Sequence, residues 1–163
     1  MSRRRVVVTG LGIVCPIGNT VAEAWSSVLA GKSGISRITH FDATALSSQI
    51  AGEVKNFDVA AYLSPKEVRR MDRFIHLGLA AGIQAVKDSG IQVTEANATR
   101  IGVNIGSGIG GLPMIEDTHN DVLEGGPRKI SPFFIPGTII NMISGNLSIM
   151  HGLKGPNLAM VTA

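Results

Sequence analysis

The sequence predicts an α/β fold in which strands and helices alternate along the chain. Short β-branched or apolar runs, bounded by glycine, alternate with longer segments whose apolar residues recur at helical spacing. Two of these longer segments begin with a hydroxyl residue followed three positions later by glutamate, which is a helix-start signal. Alternation of this kind favours a parallel or mixed sheet covered by helices on both faces.

Local signals place the elements of the first third of the chain. Arg5–Thr9 is rich in β-branched residues and is predicted to form a buried strand. Thr20 and Glu23 have capping-box spacing and predict the start of a helix that ends at Gly31. A second, short strand is predicted at Ile50–Val54.

A long helix is predicted in the middle of the chain. Ser64 provides its cap, Pro65 suits the first helical position, and Glu67 completes the start signal. Because apolar residues then continue at helical spacing, we expect one uninterrupted helix to Ser89, with Gly90 as its stop.

The last part of the chain is predicted to continue the strand–helix order. A strand is expected at Ile101–Ile105, and the sequence GSGIGG leads from it into a helix at Leu112–Leu123. The segment GGPRKISPFFIPG is predicted to have irregular structure, and a helix is predicted over Thr138–Met150. A final apolar strand begins near Asn157 and is predicted to be buried.

The composition is that of a buried part of a larger protein. Hydrophobic residues make up 44% and charged residues only 17%, the mean hydropathy is +0.25, and there are 20 glycines. No apolar run is long enough to span a bilayer, and the short run after the basic start is broken by glycine, so neither a membrane segment nor a signal peptide is expected. A single cysteine, Cys15, excludes an internal disulfide and favours a cytoplasmic setting.

Two glycine-rich segments have features of dinucleotide-binding loops. In VVVTGLGIVCPIG, Gly10 and Gly12 fit, but Cys15 stands where the third glycine belongs and Pro16 interrupts the helix that must follow. The segment GSGIGG has the required spacing between a strand and a helix, but no acidic strand end follows it. We therefore interpret both segments as places of close backbone packing.

A basic face is predicted on the long middle helix. Lys66, Arg69, Arg70 and Arg73 fall within an arc of about 100°. The opposite side of the same helix is apolar: Val68, Met71, Ile75, Leu79, Ile83 and Val86. Together with Arg128 and Lys129, this face predicts a docking surface for an acidic partner. Nucleic acid is not the expected partner, because only 4% of residues are aromatic and the net charge is only +3.

No residue of the chain is predicted to be catalytic. Cys15 lies among apolar residues with no histidine near it in sequence, which favours an inert, buried thiol. The histidines show no metal-ligand spacing with one another or with Cys15, so no metal site is expected: His40, His76, His119 and His151.

Five segments together resemble the start of a β-ketoacyl-[acyl-carrier-protein] synthase, in particular the elongating type II synthase of bacterial fatty-acid synthesis. They are RRVVVTGLGIVCPIGNTV, RRMDRF, IGSGIGG, GGPRKISPFFIPGTIINM and GLKGPN, and they cover the length of the chain. The resemblance implies a thiolase-like, layered αβαβα fold, of which residues 1–163 would be the first part. It also implies a decarboxylating Claisen condensation through an acyl-cysteine intermediate, with no cofactor. The catalytic cysteine is expected just after Ala163.

The same resemblance implies roles for individual residues. Docking of an acidic acyl carrier protein is expected at Lys66, Arg69, Arg70, Arg128 and Lys129. Ile109 matches a residue that lines the acyl pocket, and Phe134 matches another pocket residue near the subunit boundary. The last strand is expected to pair with its copy in a homodimer through Asn157, Leu158, Ala159, Met160, Val161 and Thr162.

Two alternatives from other classes stay open. One is a catalytically empty relative with the same fold, such as the chain-length partner of a polyketide synthase. The other is an NADP-dependent reductase that uses GSGIGG together with Arg128 and Lys129.

Overall fold

The computed structural model describes residues 4–161. Within this range the helices are α1 (Val21–Leu29), α2 (Pro65–Val68), α3 (Arg73–Ser89), α4 (Leu112–Gly125), α5 (Phe134–Thr138) and α6 (Met142–His151). The strands are β1 (Ser36–Arg37), β2 (Ile50–Ala51), β3 (Val103–Asn104) and β4 (Asn157–Leu158). The chain divides into two compact units, Met1–Asp58 with Ala81–Gly90, and Val59–Ala80 with Ile91–Ala163.

Helix α1 of the first unit begins and ends where the sequence predicts. The Thr20 hydroxyl accepts a hydrogen bond from the Glu23 backbone N–H at 3.2 Å. The Glu23 carboxylate accepts from the N–H of Asn19 at 2.8 Å, one residue before the position that a reciprocal capping box uses. Gly31, with φ +63°, follows the end of the helix in the left-handed region.

The first unit also contains a short antiparallel pair of strands. Strand β1 pairs with β2 in the register Ser36 with Ala51 and Arg37 with Ile50. The strand predicted at Ile50–Val54 is therefore confirmed at its start and is shorter than expected.

The predicted buried strand at Arg5–Thr9 is wrong. These residues are not part of any paired strand, and Val6 is 93% exposed. Apolar residues form a strand only when a neighbouring strand pairs with their backbone, and no strand of the described range does so here.

The glycine-rich segment that follows lies against α3. The N–H of Leu11 donates to the Asp88 carboxylate at 2.8 Å, and a Cβ at Gly12 would stand 2.0 Å from the carbonyl oxygen of Ala81. This close approach supports the interpretation of the segment as a site of close backbone packing. In addition, a dinucleotide-binding loop requires a helix directly after it, and no helix follows Gly12 directly.

The second unit is organised around a parallel pair of strands, β3 and β4. Val103 pairs with Asn157 and Asn104 with Leu158, and the hydrogen bonds continue as far as Ser107 N–H to the Met160 carbonyl at 3.1 Å. The parallel pairing that strand–helix alternation predicts is confirmed here. The described strands form two separate pairs, one antiparallel and one parallel, and not the single parallel or mixed sheet that we expected.

Helix α6 connects to this ladder through a polar pair as well as an apolar core. The fully buried Ser144 donates its hydroxyl to the Asn157 side chain at 2.9 Å, and the Asn157 amide donates back to the Ser144 carbonyl at 3.0 Å. The buried apolar residues nearby are Val103, Ile143, Leu147 and Leu153. This reciprocal bond fixes β4 against α6 at its first residue.

Two predicted helices are interrupted. The helix predicted from Ser64 to Ser89 breaks into α2 and α3, with residues 69–72 between them. The helix predicted over Thr138–Met150 begins only at Met142, and Thr138 instead ends α5, a helix within the segment that was predicted to be irregular. Gly90 does end α3 as predicted, with φ +64°.

Candidate functional site

The short helix α2 carries the first of the predicted docking cations. Its start is a reciprocal capping box: the Ser64 hydroxyl accepts the Glu67 N–H at 3.4 Å, and the Glu67 carboxylate accepts the Ser64 N–H at 2.8 Å. Hydrogen bonds from Ser64, first from its hydroxyl and then from its backbone N–H, hold the pKa of Glu67 below its ordinary value. The Glu67 carboxylate is therefore part of the helix cap. Lys66, next to it in sequence, is exposed.

The break after α2 corrects the predicted basic face. Lys66 lies on α2, Arg69 and Arg70 lie in the turn, and Arg73 is the first residue of α3. The cations therefore do not share one helical face, although they lie on one continuous segment of eight residues. Of the apolar side predicted for the single helix, Ile75 and Leu79 are fully buried.

Arg70 is held by an aromatic ring. Its guanidinium carbon lies 4.1 Å from the centroid of the Phe133 ring, which is cation–π geometry. A cavity of about 260 Å³ adjoins this pair and is lined also by Met71, Pro136 and Met142. The contact therefore brings the turn between α2 and α3 close to Phe133. This residue lies only a few positions after Lys129 in the sequence.

Arg128 and Lys129 lie on a 3-10 turn, Pro127–Lys129, after α4. Both are exposed, and the aliphatic part of Lys129 covers Gly125 at the end of that helix. Within residues 4–161, neither these two residues nor Lys66, Arg69 and Arg70 form an ion pair. Their positive charge is therefore available to an acidic surface. We call these five residues the basic cluster.

The loop that carries Ile109 is fixed by the protein itself. Gly110 has φ +88°, and a Cβ there would stand 2.5 Å from the Thr138 carbonyl oxygen. The N–H of Gly111 donates to the same carbonyl at 2.9 Å. Ile109 projects from this loop with 71% of its surface exposed.

Phe134 lies on α5, the helix that the loop carrying Ile109 contacts through Thr138. It is the first residue of α5 and is half-buried, and its carbonyl accepts the hydroxyl of Thr138 at 2.9 Å. Ile109 and Phe134 are thus carried by two segments that meet at Thr138, the last residue of α5.

The start of α4, where a dinucleotide fold would bind pyrophosphate, is occupied by a side chain. Oδ2 of Asp72 accepts the N–H of Met114, the third residue of α4, at 2.9 Å. A carboxylate at this position excludes a second anion from the same N–H groups. This geometry argues against the reductase alternative. Sequence reasoning missed Asp72 as a capping group for α4, because the cap comes from a residue 42 positions away.

Cys15 and the histidines show no catalytic arrangement. Cys15 is half-buried in a tight turn, where it exchanges backbone hydrogen bonds with Gly18. Across residues 4–161, no group of three or more His, Cys, Asp or Glu residues could hold a metal ion. His76 is a satisfied histidine, since its Nε2 lies 3.2 Å from the Val68 carbonyl at the end of α2.

Acidification should destabilise the α2–α3 segment through His76. Burial lowers the pKa of His76 below its ordinary 6.5, although Asp72 opposes the shift and Arg73 adds to it. The unfolded chain then binds more protons than the folded chain below pH 6.5, so this stability is complete above 6.5 and is lost as the pH falls through the lowered value. We expect the Tm of the full-length protein to fall between pH 7.5 and 5.5, and the fall to be smaller in His76→Gln.

The control for this measurement is His119→Gln, which changes an exposed histidine of α4. It should leave the pH dependence of Tm unchanged. Equal pH profiles for the wild type and His76→Gln would contradict the expectation.

The predicted dimer strand is exposed in this chain. Leu158 is 58% exposed, and Met160 and Val161 are exposed to a similar degree, so this chain by itself does not bury the strand, and its burial by a second copy stays a prediction. Its backbone pairs with β3 on one side, through Leu158 and Met160. Of the residues predicted to form the dimer strand, Thr162 lies outside the described residues, as does Ala163.

Known structures define the fold class. A ketosynthase of a type II polyketide synthase, solved with its acyl carrier protein and bound to the hexaketide, matches with a TM-score of 0.76 and 29% identity over 98% of this chain and 41% of that one. A β-ketoacyl synthase from Burkholderia phymatum matches with a TM-score of 0.78 and 26% identity, over 96% of this chain and 39% of that one. The predicted thiolase-like α/β fold is confirmed, with this chain as part of it.

Sequence comparison gives the family. The family described as β-ketoacyl synthase, N-terminal domain, matches residues 3–163, so the chain belongs to the β-ketoacyl synthases. The protein named 3-oxoacyl-[acyl-carrier-protein] synthase 2 of Vibrio cholerae is 61% identical over the whole chain, and that of Coxiella burnetii is 55% identical. The chain spans 39% of the length of these two relatives.

These matches decide between the alternatives at the level of the family. The family resemblance inferred from the sequence motifs is confirmed, and the reductase alternative is not favoured. No helix within residues 4–161 is long and apolar enough to cross a membrane.

Proposed function

We propose that this chain is part of an enzyme that condenses an acyl chain with malonyl-[acyl-carrier-protein], with loss of carbon dioxide, in fatty-acid elongation. The observation that carries the proposal is 61% identity, over the whole chain, to a protein named 3-oxoacyl-[acyl-carrier-protein] synthase 2. Because the chain spans 39% of that relative, the condensation is an activity of the whole protein. The cytoplasmic setting predicted from the sequence forms part of the proposal.

An acidic acyl carrier protein is the partner proposed for the basic cluster. Exposed cations without ion-pair partners steer and orient an oppositely charged surface. Four of the five side chains are exposed, and the fifth, Arg70, is oriented by Phe133. One structural neighbour is a ketosynthase in complex with an acyl carrier protein, which supports a partner of this kind.

Ile109 and Phe134 are proposed to line the acyl pocket. Ile109 is a bulky side chain on a loop that the N–H of Gly111 ties to the Thr138 carbonyl, so its position is defined while its side chain remains accessible. A second copy of the chain is proposed to cover β4 and the residues that follow it, because Leu158 of β4 and the nearby Met160 and Val161 are exposed apolar residues.

A condensation assay on the full-length protein tests this function. Acyl and malonyl carrier proteins supplied together should yield a β-ketoacyl carrier protein and carbon dioxide. Binding of the carrier without release of carbon dioxide would instead support the chain-length partner, and reduction of a substrate at the expense of NADPH would support the reductase.

Enlarging residue 109 should shorten the acyl chains that the enzyme accepts. In Ile109→Phe, added bulk at the mouth of a packed pocket should lower kcat/KM for long acyl substrates relative to short ones by about tenfold or more. The measurement is the ratio of elongation rates for long and short acyl carrier proteins. Ile115→Phe is the matched control, since Ile115 is also exposed but lies on α4. A wild-type ratio in Ile109→Phe would remove Ile109 from the pocket.

A further inference from the structure

Asp72 is a buried carboxylate that caps two helices at once. The residue is only 5% exposed. Its Oδ1 accepts the N–H of Phe74, the second residue of α3, at 3.2 Å, and its Oδ2 accepts the N–H of Met114, the third residue of α4, at 2.9 Å. Both helix starts present unpaired N–H groups and a partial positive charge, so a single carboxylate stabilises both.

Helix α4 depends on this distant cap because it has none of its own. Its N-cap residue is Gly111, which has no side chain to accept a hydrogen bond. Gly111 also leaves room for the aspartate, since a Cβ there would stand 3.0 Å from the Cβ of Asp72. Without the Asp72 carboxylate, the Met114 N–H would lose its partner in a partly buried setting.

The backbone of Asp72 joins a third segment to these two. Its N–H donates to the Gly137 carbonyl in α5 at 3.1 Å, and the neighbouring Thr138 carbonyl accepts the N–H of Gly111 at 2.9 Å. The α2–α3 turn, the loop before α4 and helix α5 therefore meet around one buried residue. These segments carry the turn cations of the basic cluster, Ile109 and Phe134, respectively.

We propose that Asp72 is a positioning residue that sets the carrier-docking turn and the acyl-pocket loop in a single arrangement. The inference rests on the proposed function, because it assigns one structural cause to the geometry of both proposed surfaces. Asp72 touches neither substrate nor carrier. It acts through Met114 and Gly111 on one side and through the turn that bears Arg69 and Arg70 on the other.

Asp72→Ser separates the two caps. A serine hydroxyl accepts the N–H of Phe74 and so retains the cap of α3, but its side chain is shorter and has a single oxygen, which cannot reach the Met114 N–H as well. In the full-length protein we expect KM for the acyl carrier protein to rise about tenfold, as for the loss of one charge-assisted hydrogen bond. The ratio of long-chain to short-chain elongation should change severalfold in the same variant. The amide of Met114 should exchange with solvent faster than in the wild type, while that of Phe74 stays protected.

Two further variants complete the test. Asp72→Asn keeps the shape of the side chain but replaces one acceptor oxygen by a donor, and it should show the same two changes. Asp88→Asn is the control, since it alters a carboxylate that accepts a backbone N–H at 2.8 Å in the other compact unit. It should leave KM and the chain-length ratio unchanged.

The outcomes that overturn the inference differ from those that overturn the function. A wild-type protein that neither binds the carrier nor condenses would remove the proposed function. An active wild type, with both Asp72 variants unchanged in KM and in chain-length ratio, would overturn the role of Asp72 alone. A change in only one of the two quantities would also overturn it, as would an equal fall of kcat for all substrates at constant KM, which is what a loss of stability produces.

Discussion

Reversing two charges of the basic cluster should weaken binding of the acyl carrier protein by about tenfold to a hundredfold at low salt. The variant is Lys66→Glu with Arg69→Glu, both exposed and outside any ion pair within the described range. Arg70 is left intact because its contact with Phe133 contributes to local structure as well as to charge. Attraction between exposed charges is screened by salt, so the residual affinity of the variant should depend less on ionic strength than that of the wild type.

A matched reversal elsewhere on the same unit controls for net charge. Arg100→Glu with Lys154→Glu makes the same change in net charge, at two exposed residues that precede β3 and β4. Carrier affinity measured by titration over a range of salt concentrations should be close to that of the wild type in this control. Equal losses of affinity in the two double variants would show that overall charge, and not the basic cluster, determines binding.

Local signals in the sequence predicted where several elements start and stop. The cap of α1 at Thr20, the capping box of α2 and the glycine ends at Gly31 and Gly90 all form as expected. Each depends on residues close together in sequence, which is why spacing alone reveals it. The close backbone packing inferred for the GSGIGG loop is also found, at Gly110 and Gly111.

The break between α2 and α3 could not be predicted in this way. Helical spacing continues through the break, and the capping signal at Asp72 is ambiguous because aspartate also occurs inside helices. What ends α2 and starts α3 here is tertiary: Asp72 binds Gly137 through its backbone and Met114 through its side chain. The prediction of an apolar strand at Arg5–Thr9 was wrong for a related reason. A strand forms only with a neighbouring strand to pair with, and the local sequence pattern does not reveal whether one is present.

The residues of the candidate site also differ in whether the sequence alone could identify them. The basic cluster was found from charge and spacing, but its predicted arrangement on one helical face was wrong because the helix is broken. The family resemblance supplied Ile109 and Phe134, whose roles stay predictions. Neither the charge pattern nor the family resemblance pointed to Asp72. Its partner Met114 is distant in sequence, so its role is visible only from hydrogen bonds between segments.

Adding a single methyl group at residue 110 should destabilise the full-length protein by about 2–4 kcal/mol. Gly110→Ala forces a side chain into the left-handed region at φ +88° and places its Cβ 2.5 Å from the carbonyl oxygen of Thr138. That oxygen is backbone and already accepts the N–H of Gly111, so it cannot move away without breaking a hydrogen bond. The measurement is the shift in Tm and in the urea midpoint.

The matched control lies two residues earlier in the same loop. Gly108 does not have positive φ, and a Cβ there would meet no atom within 4 Å, so Gly108→Ala should leave stability unchanged or raise it slightly. The two variants differ only in the backbone conformation and in the space around the added methyl group. If they shifted Tm equally, neither the backbone conformation nor the contact with Thr138 would define this loop. The position proposed for Ile109 would then lose its structural basis.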